Sequence, residues 1–122
     1  MQFEFNSAEP IYRQVAEQIE DAIASGGFEE GQQIPSTTEV SKEFHINPAT
    51  VLKGMNIAVS KQLIEKRRGL GMFVTSGAQG RILAAKRDSF YEEFVVNLVK
   101  EARNLNISED DLLALVKRGY DQ

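Results

Sequence analysis

The first chemistry to look for is catalytic, and the stretch FHINPATVLKGM (Phe44 to Met55) holds the chain's only imidazole, His45. A hydrolase triad needs a nucleophile, a base and an orienting acid. His45 lies between Phe44 and Ile46, where a lone histidine serves a turn more readily than it serves as a general base. With one histidine and no cysteine the ligands for a zinc site are missing. The run Gly69-Leu70-Gly71 resembles part of a dinucleotide fingerprint, but it follows a basic stretch and opens no helix. The residues therefore imply neither an enzyme nor a cofactor.

The second chemistry is recognition of a polyanion. The net charge of −4 argues against it until its distribution is read. Residues 1–41 carry one cation and eight anions, a local charge of −7. Residues 42–80 carry six cations (Lys42, Lys53, Lys61, Lys66, Arg67 and Arg68) and two anions, a local charge of +4. Residues 81–122 are nearly balanced, at −1. A basic patch governs contact with nucleic acid more than the total charge does. Within it, Thr50 and Lys53 suit phosphate or base edges, and Ala49 and Leu52 suit thymine methyl groups. The hydroxyls and backbone N–H groups of Ser36, Thr37 and Thr38 suit phosphate at a helix start.

These side chains need elements to hold them. Helical spacing of Ile11, Val15, Ile19 and Ile23 predicts helix 1 over about 10–25, with Ser25-Gly26-Gly27 as its stop. One short strand is expected at Gln33-Ile34. Ser36 and Glu39 fit a capping box for helix 2, about 36–44. Asn47 is a good N-cap and Pro48 a good first residue for helix 3, about 48–60. Two short helices joined by so tight a turn are the signature of a helix-turn-helix. Gly54 inside helix 3 costs ~1 kcal/mol against alanine, and close approach of helix 2 would account for it. Strands at Leu63–Lys66 and Met72–Thr75 flank a glycine-rich tip, Arg67 to Gly71, which makes a wing.

Beyond a small-residue link at 76–80, a long helix is expected over about 81–104 and a last one over about 108–119, capped by Ser108 and Asp111. Their apolar stripes (Phe90, Tyr91, Phe94, Val95 and Leu98, then Leu112, Leu115 and Val116) exceed what two helices can bury in each other. Either the first domain or a partner chain must cover them. No apolar run approaches the ~20 residues of a membrane span, and no secretory leader opens the chain. The lack of cysteine fits a reducing cytoplasm.

The run Pro10 to Val74 resembles the GntR family of bacterial transcription regulators. The resemblance rests on PIYRQ, the Gly27 and Gly31 spacing, IPS before helix 2, INPATV at helix 3 and RRGLGMFV at the wing. The short two-helix tail resembles the YtrA-type subfamily, whose tail serves dimerisation. The resemblance implies a mainly α (α+β) chain with a winged helix-turn-helix at 1–75 and a helical dimerisation tail at 76–122. It implies a homodimer on a palindromic double-stranded DNA operator, acting as a repressor. The contacts it implies fall on Asn47, Ala49, Thr50 and Lys53 of helix 3, and on Arg68, Gly69 and Gly71 of the wing; by position alone Pro48 and Arg67 join them. The family usually has arginine where Thr38 stands, and a basic residue where Leu52 stands. These departures point to weaker phosphate attraction or to an altered, more T-rich operator. Two rival readings remain: a dimeric protein-interaction module, and a sensor whose small-molecule effector sits near Phe90, Tyr91 and Phe94.

Overall fold

The computed structural model describes residues 8–122. Its helices are α1 (Ile11–Ala24), α2 (Thr37–Phe44), α3 (Pro48–Ser60), α4 (Ala78–Phe90), α5 (Val96–Asn104) and α6 (Glu109–Tyr120). Strands β1 (Ile64–Arg67) and β2 (Gly71–Val74) form an antiparallel hairpin. A single π-helical turn, Tyr91–Val95, separates α4 from α5. The chain divides into two compact units, one ending at Ala84 and the other Ala85–Gln122.

In the first unit α1 lays Val15, Ile19 and Ile23 against Val51, Met55 and Ala58 of α3, and Val40 of α2 joins them. Gly54 is where α1 and α3 come closest. A Cβ there would lie 2.6 Å from the Tyr12 carbonyl oxygen and 2.7 Å from Val15 Cβ. The neighbour that demands glycine is thus α1, not helix 2, because the core-facing side of α3 carries Val51, Gly54, Met55 and Ala58 together. An ion pair of 2.6 Å from Lys61 to Glu20 ties the end of α3 to α1.

The hairpin pairs Ile64 with Val74 and Arg67 with Gly71. Gln32 to Ile34 runs along the other edge of β2: Ile34 N–H donates to Met72 O at 2.9 Å and Val74 N–H to Gln32 O at 2.9 Å. The short strand expected at Gln33-Ile34 is present as one bridge, Gln33 to Phe73.

α4 begins at Ala78, three residues before the expected 81, and its first turns belong to the first unit. Ala78 and Ile82 are buried in that core. Arg81 Nη2 donates to Gln62 O, Thr75 Oγ1 and Ser76 O at 2.7, 2.7 and 2.9 Å, clamping the base of the wing. In the second unit the Ile107 N–H closes the end of α5 on Ala102 O at 2.9 Å, and Ser108 Oγ accepts from Asp111 N at 3.1 Å to start α6. Among the described residues no helix is long and apolar enough to cross a membrane.

Candidate nucleic-acid interface

The start of α2 is built from its own cap. Ser36 Oγ accepts from Glu39 N at 3.0 Å and Glu39 Oε1 accepts from Ser36 N at 3.3 Å, which is the expected capping box. Thr37 turns inward, its hydroxyl 4.0 Å from Met55 Sδ. Thr38 is exposed at the end of the helix. Of the three hydroxyls, then, Thr38 alone faces solvent free of a helix or core contact among the described residues.

The turn into α3 explains the histidine. His45 is the C-cap of α2, with φ 54° and ψ 45°, and its N–H donates to Ser41 O. Ser41 Oγ donates to Ile46 O at 2.6 Å and fixes the far side of the turn. The imidazole is exposed, and it is the backbone of His45 that makes the turn. Asn47 Oδ1 then accepts from Ala49 N at 2.8 Å, so its amide oxygen is occupied by the cap, and Pro48 occupies the first helical position.

On α3, Pro48, Ala49, Leu52 and Lys53 are exposed, whereas Thr50 is half-buried. The Lys53 ammonium sits 4.0 Å from the centre of the Tyr12 ring, a cation–π contact that holds it on the α1 side of the helix. Tyr12 also accepts from Arg13 Nε at 3.3 Å. That hydrogen bond, then the Arg13 charge and to a smaller extent that of Lys53, lower the phenol's pKa below its ordinary value.

The wing carries Lys66, Arg67 and Arg68 exposed. Arg67 is held in place, with its guanidinium 4.2 Å from the Phe73 ring centre and 3.2 Å from Glu65 Oε1. Arg68 makes no hydrogen bond or ion pair among the described residues and projects from the tip. Gly69 and Gly71 both have positive φ, 77° and 120°. A Cβ on Gly71 would meet Gln33 Nε2 at 2.7 Å. That same amide donates to Leu70 O at 2.7 Å and braces the tip.

Two supporting residues escape a reading of the sequence. Tyr12 and Gln33 act across the fold, from helix 1 and from the edge segment, and no local pattern announces such partners. Asn56 lies on the outer face of α3 and is exposed. It was legible from helical spacing, one turn beyond Leu52 and Lys53.

In the second unit Phe90, Tyr91, Phe94 and Leu98 are exposed, as are Leu115 and Val116. Phe90 and Phe94 pack on each other, ring centres 5.4 Å apart and tilted by 40°. Val95 and Leu112 are half-buried. Leu98, Ala102, Leu105, Ile107, Leu112 and Leu115 line an apolar groove of about 280 Å³ between α5 and α6. Among the described residues no group of three or more histidine, cysteine, aspartate or glutamate side chains converges as for a metal ion.

Residues 11–74 match the model of the family described as bacterial regulatory proteins, gntR family. The HTH-type transcriptional repressor YtrA of Bacillus subtilis (strain 168) is 25% identical over 96% of this chain and 89% of its own length. A crystal structure of a GntR-family transcriptional regulator from Bacteroides thetaiotaomicron superposes with a TM-score of 0.71 at 31% identity, over 91% of this chain and 96% of that one. AraR(DBD), solved in complex with operator ORE1, superposes with a TM-score of 0.54 at 31% identity, over 62% of this chain and 94% of that one. The chain therefore belongs to the GntR family of helix-turn-helix transcription regulators, in its YtrA-like branch, and is a regulator rather than an enzyme.

Proposed function

We propose that this regulator is a cytoplasmic repressor that binds a palindromic operator as a homodimer. The division of labour is the one expected from the sequence, with a DNA-binding part at 1–75 and a dimerisation tail at 76–122. The observation that carries the reading is the outer face of α3. Its inner side is consumed by α1 and α2, while Ala49, Leu52 and Lys53 stand exposed at its capped N-terminal half. A helix so presented fits the major groove with its first turns toward the bases. The wing, residues 67–71, would reach the adjacent minor groove, with Arg68 as the cation at its tip and Gly69 and Gly71 letting the backbone approach. Thr38 and the Ser36 hydroxyl would meet phosphate at the start of α2. Thr37, turned to the core, and Asn47, engaged as a cap, would help through shape and backbone N–H groups. The structural likeness to AraR(DBD), whose solved complex contains an operator, supports the reading.

The exposed apolar side chains of the tail support dimerisation: Phe90, Tyr91 and Phe94, with Leu98, Leu115 and Val116 along the groove. So much exposed apolar surface suits an association face. A second copy supplies a matching one under two-fold symmetry, which would also set two copies of α3 about one DNA turn apart.

Fluorescence anisotropy with DNA from upstream of the chain's own gene tests the reading across a salt series. Two protomers touching ~5–8 phosphates give a log–log slope of roughly −4 to −7. Sequence-specific binding with that slope, weakened tenfold or more by Lys53→Ala with Arg68→Ala, is the expected result. Specific binding that ignores both substitutions would move the interface elsewhere.

A further inference from the structure

We propose that Asn56 is a base-reading residue that selects an adenine in each half-site. The inference rests on the placing of α3 in the major groove and adds to it a residue and a base. Ala49, Leu52, Lys53 and Asn56 follow the spacing i, i+3, i+4, i+7, one continuous stripe on the side of α3 opposite Val51, Gly54, Met55 and Ala58. A helix lying along the major groove reads bases through side chains at that spacing. All four members of the stripe are exposed.

Their chemistry differs. Ala49 and Leu52 offer only methyl groups. The Lys53 ammonium is drawn 4.0 Å over the Tyr12 ring, to the flank of the stripe, where it suits phosphate better than a base edge. Ser60, one turn further on, spends its hydroxyl on Ile57 O at 2.7 Å. Asn56 is left as the one side chain of the stripe with both a donor and an acceptor, and neither is engaged among the described residues. The contrast with Asn47 is direct, since that amide oxygen is bound by Ala49 N at 2.8 Å. A free carboxamide pairs two-pronged with adenine, accepting from N6 and donating to N7, and no other base offers that pair in the major groove. The leucine beside it suits the methyl of a thymine, so adenine would be read next to apolar contacts that favour A·T pairs.

The test is selection of binding sites from a random DNA library, run in parallel on the full-length wild-type protein and on Asn56→Ala. Asn56 is exposed and alanine is the better helix former, so the variant should melt at or above the wild-type temperature. The expected result is that both proteins recover the same motif except at one A·T position per half-site. There Asn56→Ala loses its preference, and its affinity for the wild-type site falls about tenfold. Asn56→Asp, which keeps the size but replaces the donor by a second acceptor, should also lose adenine at that position. An unchanged motif and unchanged affinity in Asn56→Ala would overturn the assignment while leaving the DNA-binding reading intact. Failure of the wild type to enrich any motif would instead overturn the DNA-binding reading, and this inference with it.

Discussion

His45 holds a left-handed backbone conformation, φ 54°, that glycine adopts without the Cβ penalty. His45→Gly should therefore raise stability by roughly 0.5–1 kcal/mol, after the extra chain entropy that glycine loses on folding. Operator affinity should be unchanged; urea melts and anisotropy check the two halves, and loss of both would give the imidazole a role beyond the turn. Gly54 is the opposite case. Alanine would gain ~1 kcal/mol in helix propensity but force its methyl to within 2.6 Å of the Tyr12 carbonyl. Backbone cannot yield as a flexible side chain can, so Gly54→Ala should cost about 1–3 kcal/mol in the same melts. Glu17 titrates above the ordinary carboxylate range, through a hydrogen bond with Glu9, then burial and the charges of Glu9, Asp21 and Glu20. A raised folded pKa means that the folded state binds the proton more tightly. The stabilising contribution is present at low pH and is lost as pH rises through the folded value. Glu17→Gln should thus raise the melting temperature at pH 7, and the gain should vanish below the carboxylate range.

At the scale of elements the wing is the least self-sufficient part, since its hairpin is four residues a side and its tip is braced by Gln33 from outside. Gly71→Ala meets both a clash with Gln33 Nε2 and a φ of 120°, and strain of that kind costs of order 1–3 kcal/mol. The amide is the end of a flexible side chain, so backbone strain should dominate. Most of the penalty should then persist in the Gln33→Ala background; a double-mutant cycle by thermal melting reads the difference. Helices α1, α2, α3 and α6 were legible from apolar spacing together with caps at Ser36, Asn47 and Ser108, because those signals are local. The strands fell one residue from their expected bounds, since a pattern of alternation does not fix where pairing ends. The π-helical turn at Tyr91–Val95 was not legible: it carries the Val96 N–H to Tyr91 O, five residues back, without disturbing the run of apolar types. Of the candidate interface, the exposed members of α3 and the wing could be read from type and spacing. Tyr12 and Gln33 could not, because what they do depends on which distant residue the fold sets beside them.

At the scale of the whole molecule the governing question is what covers the tail. Phe90, Tyr91 and Phe94 are each more than half exposed in a single protomer, and water is a poor neighbour for so much ring surface. If a second copy covers them, charges placed there must separate the protomers without unfolding either first unit, whose core is Val15, Ile19, Val51 and their neighbours. Phe90→Asp with Phe94→Asp should therefore sediment as a monomer while keeping the wild-type helical circular dichroism. Binding to a palindromic operator should then weaken by two orders of magnitude or more, because the second α3 no longer arrives tethered to the first. The salt slope should fall to about half its wild-type value, since each binding event now releases the counterions of one protomer's phosphates. The two readouts constrain each other. A monomer with an undiminished slope would mean that one protomer makes all the phosphate contacts, and a variant that still sediments as a dimer would place the association face elsewhere on the tail.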